Sequence, residues 1–247
     1  MITNIYRGGL GNLLFQIAAG YSLAIKHNVQ YKINPNLHNE RGQGNHITSY
    51  LNSIFKNIEL TDYVPANVFK EPDKLGDIEI PYENNLLLDG FFQKEKYFIE
   101  HKTEINKLFG FDSVKLIPKN ICTVQVRTGD FLFDNTFNVI NPDYFLKALN
   151  FVLEQNSNTN FYLVTDYYNL AIKYLPSHIK FNYANLSELE DLKLMSQSDY
   201  CIISNSSFGW WGSFLGKDKI TLSPYKWFNN GDNATETYRK NMIKVNF

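Results

Sequence analysis

Short apolar, β-branched runs alternate with helical segments along the second half of the chain, and this alternation restricts the fold more than any other feature. Residues 121–126, 161–164, 200–203 and 219–222 read as buried strands. Helix signals lie between them. Asn141-Pro142 supplies an N-cap side chain followed by proline at the first helical position, ahead of Phe145, Ala148, Leu149 and Val152 on one face. Ser187 and Glu190 have capping-box spacing, and Leu189, Leu192 and Met195 follow as the inward face of the next helix. Strands joined through helices run parallel and are covered on both faces. In open parallel sheets ligands sit beyond the carboxyl ends of the strands, so the residues after positions 6, 126, 164 and 203 are the places to look for chemistry.

The first half opens in the same way. Residues 3–6 read as a short strand, Gly8-Gly9-Leu10-Gly11-Asn12 as a glycine-rich turn, and Leu14, Ile17, Ala18, Tyr21 and Ala24 as one face of a helix. Residues 34–85 are polar and predict short helices and irregular chain; 86–88 read as a strand, and the stretch after Gln93 as helical to about Phe109. The 247 residues, 44% of them hydrophobic, suffice for one large core or two smaller ones. Two α/β halves are expected, 1–115 and 116–247, with the boundary in the charged, Pro118-containing stretch 111–119. There is no internal repeat and no low-complexity tract.

A formal net charge of −1 removes bulk attraction to nucleic acid or an anionic membrane as a driving force. Cys122 and Cys201 lie in apolar runs and read as reduced core residues. No apolar run reaches membrane-spanning length, and MITNIYRGG lacks a charged segment followed by an apolar one. A cytoplasmic protein with at most peripheral membrane contact is the expectation. The 16 Tyr and 19 Phe suit either a packed core or stacking surfaces for sugars and bases, and composition does not separate the two.

Four stretches carry candidate chemistry. The loop at Gly9 and Gly11 allows close backbone approach, which suits a phosphate or sugar cradle; a tight strand-to-helix turn fits equally well. It is neither a complete dinucleotide fingerprint, since Leu14 occupies the third glycine position, nor a P-loop. In Val124-Gln125-Val126-Arg127-Thr128-Gly129-Asp130, an arginine just past a buried strand needs an anion or solvent, and its planar fork can grip a diphosphate; a structural Arg127–Asp130 pair is the other reading, and both can hold together. In Ser204-Asn205-Ser206-Ser207-Phe208-Gly209-Trp210-Trp211-Gly212, four small polar residues precede a helix, which suits an anion site or plain capping above two core tryptophans. Asp166, after the strand at 161–164, suits a ribose or base amine, or a helix cap. No clear Asp-x-Asp ends a strand, and no His/Cys cluster or Gly-x-Ser-x-Gly elbow is present.

Taken in order, GGLGN with Phe15-Gln16, the arginine stretch at 125–130 and SNSSFGWWG resemble glycosyltransferase family 11, mainly α-1,2-fucosyltransferases. Smaller echoes keep the same order: Gly90-Phe91-Phe92-Gln93, Glu95-Lys96-Tyr97-Phe98, Asp143-Tyr144-Phe145, Asp191-Leu192 with Met195-Ser196, and Pro224 with Trp227-Phe228. The resemblance spans nearly the whole chain and is weakest over 34–85. It implies a GT-B-like α/β fold, two Rossmann-like halves with parallel sheets facing a central cleft, the N-terminal half on the acceptor side and the C-terminal half binding the nucleotide sugar. It implies transfer of fucose from GDP-fucose to a carbohydrate acceptor with inversion and no metal or other cofactor. It assigns Arg127 to the β-phosphate, Ser206, Ser207 and Phe208 to the diphosphate, Asn12 to the reacting centre, and Asp166 to the nucleoside. The family usually reads His-x-Arg-Arg-Gly-Asp and Asp-Asp, where this chain has Gln125, Thr128 and Asp166-Tyr167. Gln125 and Tyr167 therefore stand where related enzymes contact guanine. Asp130, close in sequence to Arg127, is the expected general base; late loss of the proton through Asn12 or water is the other reading. The rival expectations are a transferase of the same fold with another nucleotide sugar, and a silent carbohydrate- or nucleotide-binding protein.

Overall fold

A computed structural model of the protein describes residues 1–39, 44–72, 78–111, 119–183, 185–229 and 235–247. The chain divides into two compact units, Met1–Asp112 and Ser113–Phe247. Residues 112–118, most of the expected boundary stretch, lie outside the described residues.

The first unit holds a parallel sheet of β1 (Ile2–Asn4), β2 (Asn67–Lys70) and β3 (Leu86–Asp89) in the order β1-β3-β2, with Ile2 opposite Leu86. Isolated parallel bridges at Ile2–Tyr31 and Ile33–Leu60 continue the pattern through the irregular region. Helix α1 (Leu10–Lys26) follows β1 and buries Leu13, Leu14, Ile17 and Ala18. It starts inside the expected glycine turn rather than after it. Gly8 turns the chain at φ 78°, Gly9 is the extended N-cap, and the Gly9 carbonyl accepts the amides of Asn12 (2.9 Å) and Leu13 (3.1 Å). Leu10, Gly11 and Asn12 therefore form the first helical turn. Helix α2 (Lys102–Phe109) closes on Gly110 in the left-handed region at φ 77°, the usual helix stop.

The second unit is a six-stranded, wholly parallel sheet. Its strands are β4 (Ile121–Val126), β5 (Asn160–Thr165), β6 (Phe181–Asn182), β7 (Tyr200–Ile203), β8 (Ile220–Pro224) and β9 (Met242–Val245), in the order β6-β5-β4-β7-β8-β9. Helices α3 (Pro142–Gln155), α4 (Tyr168–Ala171), α5 (Glu188–Gln197) and α6 (Ser207–Phe214) lie between them in sequence. All six residues of β4 are buried, as a central strand covered on both faces requires. Val124, Val126, Phe145, Leu149, Ile202 and Leu222 belong to one apolar core. Both sequence-derived caps form: the Asn141 side chain accepts the Tyr144 amide at 2.9 Å, and Ser187 and Glu190 make the reciprocal capping box. The chain winds outward from β4 to β6, returns to β7 beside β4, and winds out to β9. The strand order thus reverses between β4 and β7, the switch point where a sheet of this kind opens a crevice. This is the α/β, GT-B-like class expected from the sequence. Among the described residues, no helix is long and apolar enough to cross a membrane.

Candidate active site

Arg127 is the first residue beyond β4, and Ser204 the first beyond the neighbouring β7. Ser204 ties the two strand ends together: its Oγ donates to the Gln125 carbonyl (3.0 Å) and accepts the Arg127 amide (2.9 Å). Gln125 completes the tie through its side chain, whose Oε1 accepts the Ser204 amide at 3.0 Å. That side chain is buried beneath α6, where a Cβ on Gly209 would come within 2.5 Å of Oε1. The structure thus places Gln125 under the site as a brace for the β7–α6 turn.

The Arg127 guanidinium, about one-third exposed, lies between two carboxylates. One terminal nitrogen donates to Asp130 Oδ1 at 2.5 Å, and the other stands 3.2 Å from Asp166 Oδ2. Its Cζ lies 5.3 Å from the centroid of the Phe131 ring, which stacks on Phe137 at 5.0 Å. A guanidinium has five N–H donors, so these two pairings leave others for a ligand. One cation against two carboxylates gives the cluster a formal excess of one negative charge.

Asp166 is not a helix cap. Helix α4 has Tyr167 as its N-cap and no side-chain cap bond. Asp166 Oδ1 accepts the Thr128 amide (3.0 Å) and the Thr128 hydroxyl (2.7 Å). Thr128, one of the departures from the usual motif, therefore fixes the acid that faces Arg127, a role that motif reading missed. Gly129 follows at φ 41°, and a Cβ there would fall 2.7 Å from Asp166 Oδ2 and 3.1 Å from the Tyr167 ring. Both the conformation and the close approach require glycine.

The polar run before α6 splits into two roles. Ser204 is used as above. Asn205 is buried, and its amide group donates to the carbonyls of Phe137 (3.0 Å) and Trp227 (2.8 Å), anchoring the loops on either side. Ser206 is the N-cap of α6 in extended conformation with no side-chain cap bond, and Ser207 and Phe208 begin the helix, partly exposed. The first amides of a helix have no intrahelical carbonyl, so an uncapped first turn offers N–H groups and the positive end of the helix dipole to an anion. Trp210 and Trp211 are fully buried core residues, and Trp210 Nε1 donates to the Thr237 carbonyl at 2.7 Å.

In the first unit, Gly9 is approached closely by the chain itself: a Cβ on Gly44 would lie 2.3 Å from Gly9 Cα. Gly11 is buried within α1. Asn12 is held by Gln93, whose Nε2 donates to its Oδ1 at 2.7 Å. The glycines thus serve turn geometry and packing. Among the described residues, no group of three or more His, Cys, Asp or Glu side chains is placed to hold a metal ion.

Comparison with known proteins agrees with this architecture. The family model described as Glycosyl transferase family 11 matches residues 6–246. An Escherichia coli protein named alpha-1,2-colitosyltransferase is 28% identical, over 90% of this chain and 90% of that protein. The O-antigen biosynthesis glycosyltransferase WbnK of Escherichia coli is 27% identical, over 75% of this chain and 69% of that protein. Among solved structures, the fucosyltransferase NodZ from Bradyrhizobium superposes with a TM-score of 0.52 at 14% identity, covering 87% of this chain and 92% of that one.

Proposed function

The chain belongs to glycosyltransferase family 11, and from that premise we propose that it transfers fucose from GDP-fucose to a sugar hydroxyl, forming an α-1,2 linkage to a galactose-type acceptor, with inversion and without a metal ion. The observation that carries this reading lies at the switch point of the second sheet, where Ser204 ties the end of β4, which carries Arg127, to the end of β7, from which the uncapped first turn of α6 follows. Guanidinium N–H groups and the first amides of a helix can hold a diphosphate without a divalent ion, once the phosphate takes the place of a carboxylate on Arg127.

The proposed chemistry is a single displacement. The acceptor oxygen forms its bond to the anomeric carbon on the face opposite GDP, the bond from that carbon to the β-phosphate oxygen breaks, and the electron pair leaves with GDP. The transition state has oxocarbenium character, and negative charge grows on the β-phosphate. Arg127 and the amides at Ser207 and Phe208 stabilise that charge in place, the preorganised electrostatics that often dominates enzymatic rate enhancement. Asp130 is the proposed base for the acceptor proton; it must exchange its bond to Arg127 for one to the hydroxyl, which donor phosphate arriving on the guanidinium would favour. By the family resemblance Asp166 is assigned to the nucleoside side of the site and Asn12 to the reacting centre. Metal-free turnover is part of the proposal and is tested with it.

A second donor is favoured by one specific finding, the relative named for colitosyl transfer that matches over 90% of this chain. The test is nucleotide release from GDP-fucose, GDP-colitose, GDP-mannose, UDP-galactose and UDP-glucose, with simple galactosides present and EDTA added. Release from GDP-fucose, undiminished by EDTA, is the expected result. Release from GDP-colitose alone would keep the site and change the sugar. Release from a UDP-sugar alone, or loss of activity in EDTA, would contradict the donor or the metal-free site respectively.

A further inference from the structure

The carboxyl end of the first unit's sheet carries a second polar cluster that the donor site does not use. Arg7, three residues past β1, forms an ion pair with Asp89, the last residue of the neighbouring β3. The Arg7 side chain is 26% exposed and that of Asp89 20%, so both can reach a ligand. The Arg7 main chain is clamped from both sides by the buried Gln16 amide: Gln16 Oε1 accepts the Arg7 N–H (3.1 Å), and Gln16 Nε2 donates to the Arg7 carbonyl (3.0 Å). The guanidinium Cζ sits 5.7 Å from the centroid of the Phe91 ring, which remains 42% exposed. Arg7 Nε is buried and makes no hydrogen bond among the described residues.

The loop that presents Phe91 is held under strain. Phe92 adopts φ 53°, a left-handed conformation unfavourable for a bulky residue. Two features enforce it. Glu71 Oε2 accepts the amides of both Phe91 (2.8 Å) and Phe92 (2.7 Å), and the Phe92 ring is buried against Phe69 and Tyr97. Glycine is required just before, since a Cβ at Gly90 would fall 2.4 Å from the Glu71 Cβ. A buried ring would be content with an ordinary turn, whereas this geometry fixes its neighbour Phe91 outward beside an ion pair. Strain of this kind persists where the surroundings over-determine it, most often at ligand sites.

We propose that Phe91, Asp89 and Arg7 form the pyranose subsite that receives the acceptor sugar. The chemistry matches that ligand class. The C–H face of a pyranose packs on an aromatic ring, its hydroxyls donate to a carboxylate, and they accept from a guanidinium. Asp89 Oδ2 and the terminal N–H groups of the partly exposed Arg7 guanidinium are assigned to the hydroxyls, and Glu71 is a positioning residue that sets the Phe91 loop. The inference rests on the transferase reading for the identity of the ligand as an acceptor, but the site lies wholly within the first unit and can be tested without donor.

The test is saturation-transfer NMR on the full chain with a panel of methyl hexopyranosides led by methyl β-galactopyranoside, alongside acceptor-free nucleotide release from the donor. Wild type, Phe91→Ala, Phe91→Tyr, Asp89→Asn and Phe133→Ala are compared; Phe133 is an 89% exposed ring elsewhere on the chain. The expected result is a pyranoside that binds wild type and Phe133→Ala alike, binds Phe91→Ala and Asp89→Asn at least about tenfold more weakly, and regains affinity in Phe91→Tyr. Failure of every pyranoside to bind wild type overturns the subsite, as does binding that is unchanged in Phe91→Ala or weakened only in Phe133→Ala. Phe91-dependent binding in a protein that releases no nucleotide from any donor would sustain the subsite and sink the transferase reading instead.

Discussion

Between Asp130 and Asp166, Arg127 has one carboxylate that suits a reactive part and one that suits a fixed part. Asp166 is locked by three hydrogen bonds from two residues: Thr128 donates to it twice, and the Tyr167 amide donates at 3.1 Å. Asp130 is bonded to Arg127 at 2.5 Å and is about one-third exposed, free to swing away. Asp130→Asn is therefore expected to lower kcat for transfer by about 10²-fold or more, the range for loss of a general base, while GDP affinity measured by calorimetry stays equal or rises as a negative charge leaves the site. Unchanged kcat would remove Asp130 from catalysis and leave it as a structural partner of Arg127. Thr128→Val tests the opposite carboxylate: loss of both the hydroxyl bond and the geometry around Asp166 should weaken GDP binding by about tenfold, an expectation based on one hydrogen bond to a charged group, and unaltered binding would place Asp166 outside the donor site.

At the level of elements, the switch point depends on how β4 and β7 are held. Tyr144 on α3 is fully buried, and its hydroxyl donates to the Ile203 carbonyl at the end of β7 at 2.6 Å, with the Leu222 carbonyl of β8 at 3.2 Å. Burial raises its phenol well above the usual range, so it stays a neutral donor. Tyr144→Phe leaves the packing and strands a buried carbonyl, which should destabilise by about 1–3 kcal/mol in denaturant titration; a change below about 0.5 kcal/mol would mean the bond is replaced. On α5, Asp191 has its carboxyl raised to about 7 by burial and then by the neighbouring charges of Glu190 and Glu188. A folded-state value above the unfolded one means the folded chain prefers the protonated acid, so the ionised form works against folding as pH rises through about 7. Asp191→Asn should raise the melting temperature at pH 8 and leave it nearly unchanged at pH 4. Equal shifts at both pH values would contradict that account.

The elements also show why part of the fold was legible and part was not. Strands β4 and β7 are buried on both faces, so they read as continuous apolar runs, and their bounds were expected as they stand. Strands β2, β6 and β9 went unpredicted because they are two to four residues long and largely exposed, and the few apolar residues they carry, such as Val68, Phe69 and Phe181, are too few to set a strand period. At the site, the residues at the strand ends were legible, but their pairings were not. Val126 lies opposite Thr165 in the β4–β5 register, which sets Arg127 beside Asp166. Nothing local in the sequence fixes that register across nearly forty residues. Gln125 was legible as part of a motif, but its structural part was not: its Oε1 braces the Ser204 amide beneath α6.

Across the whole molecule, each unit brings one polar cluster to the carboxyl end of its parallel sheet: Arg127 with the start of α6 in the second unit, and Arg7 with Asp89 and Phe91 in the first. The family match over residues 6–246 covers both units, so neither is an appendage to the other. The account stands or falls on Arg127 as the group that stabilises the departing nucleotide. The most direct measurement is turnover of GDP-fucose by wild type and Arg127→Ala, side by side in EDTA, with folding checked by circular dichroism. The account predicts that kcat falls by about 10²- to 10³-fold in the variant, the loss expected when one preorganised donor to developing charge is removed. An Arg127→Ala protein that folds and turns over the donor near the wild-type rate would contradict it.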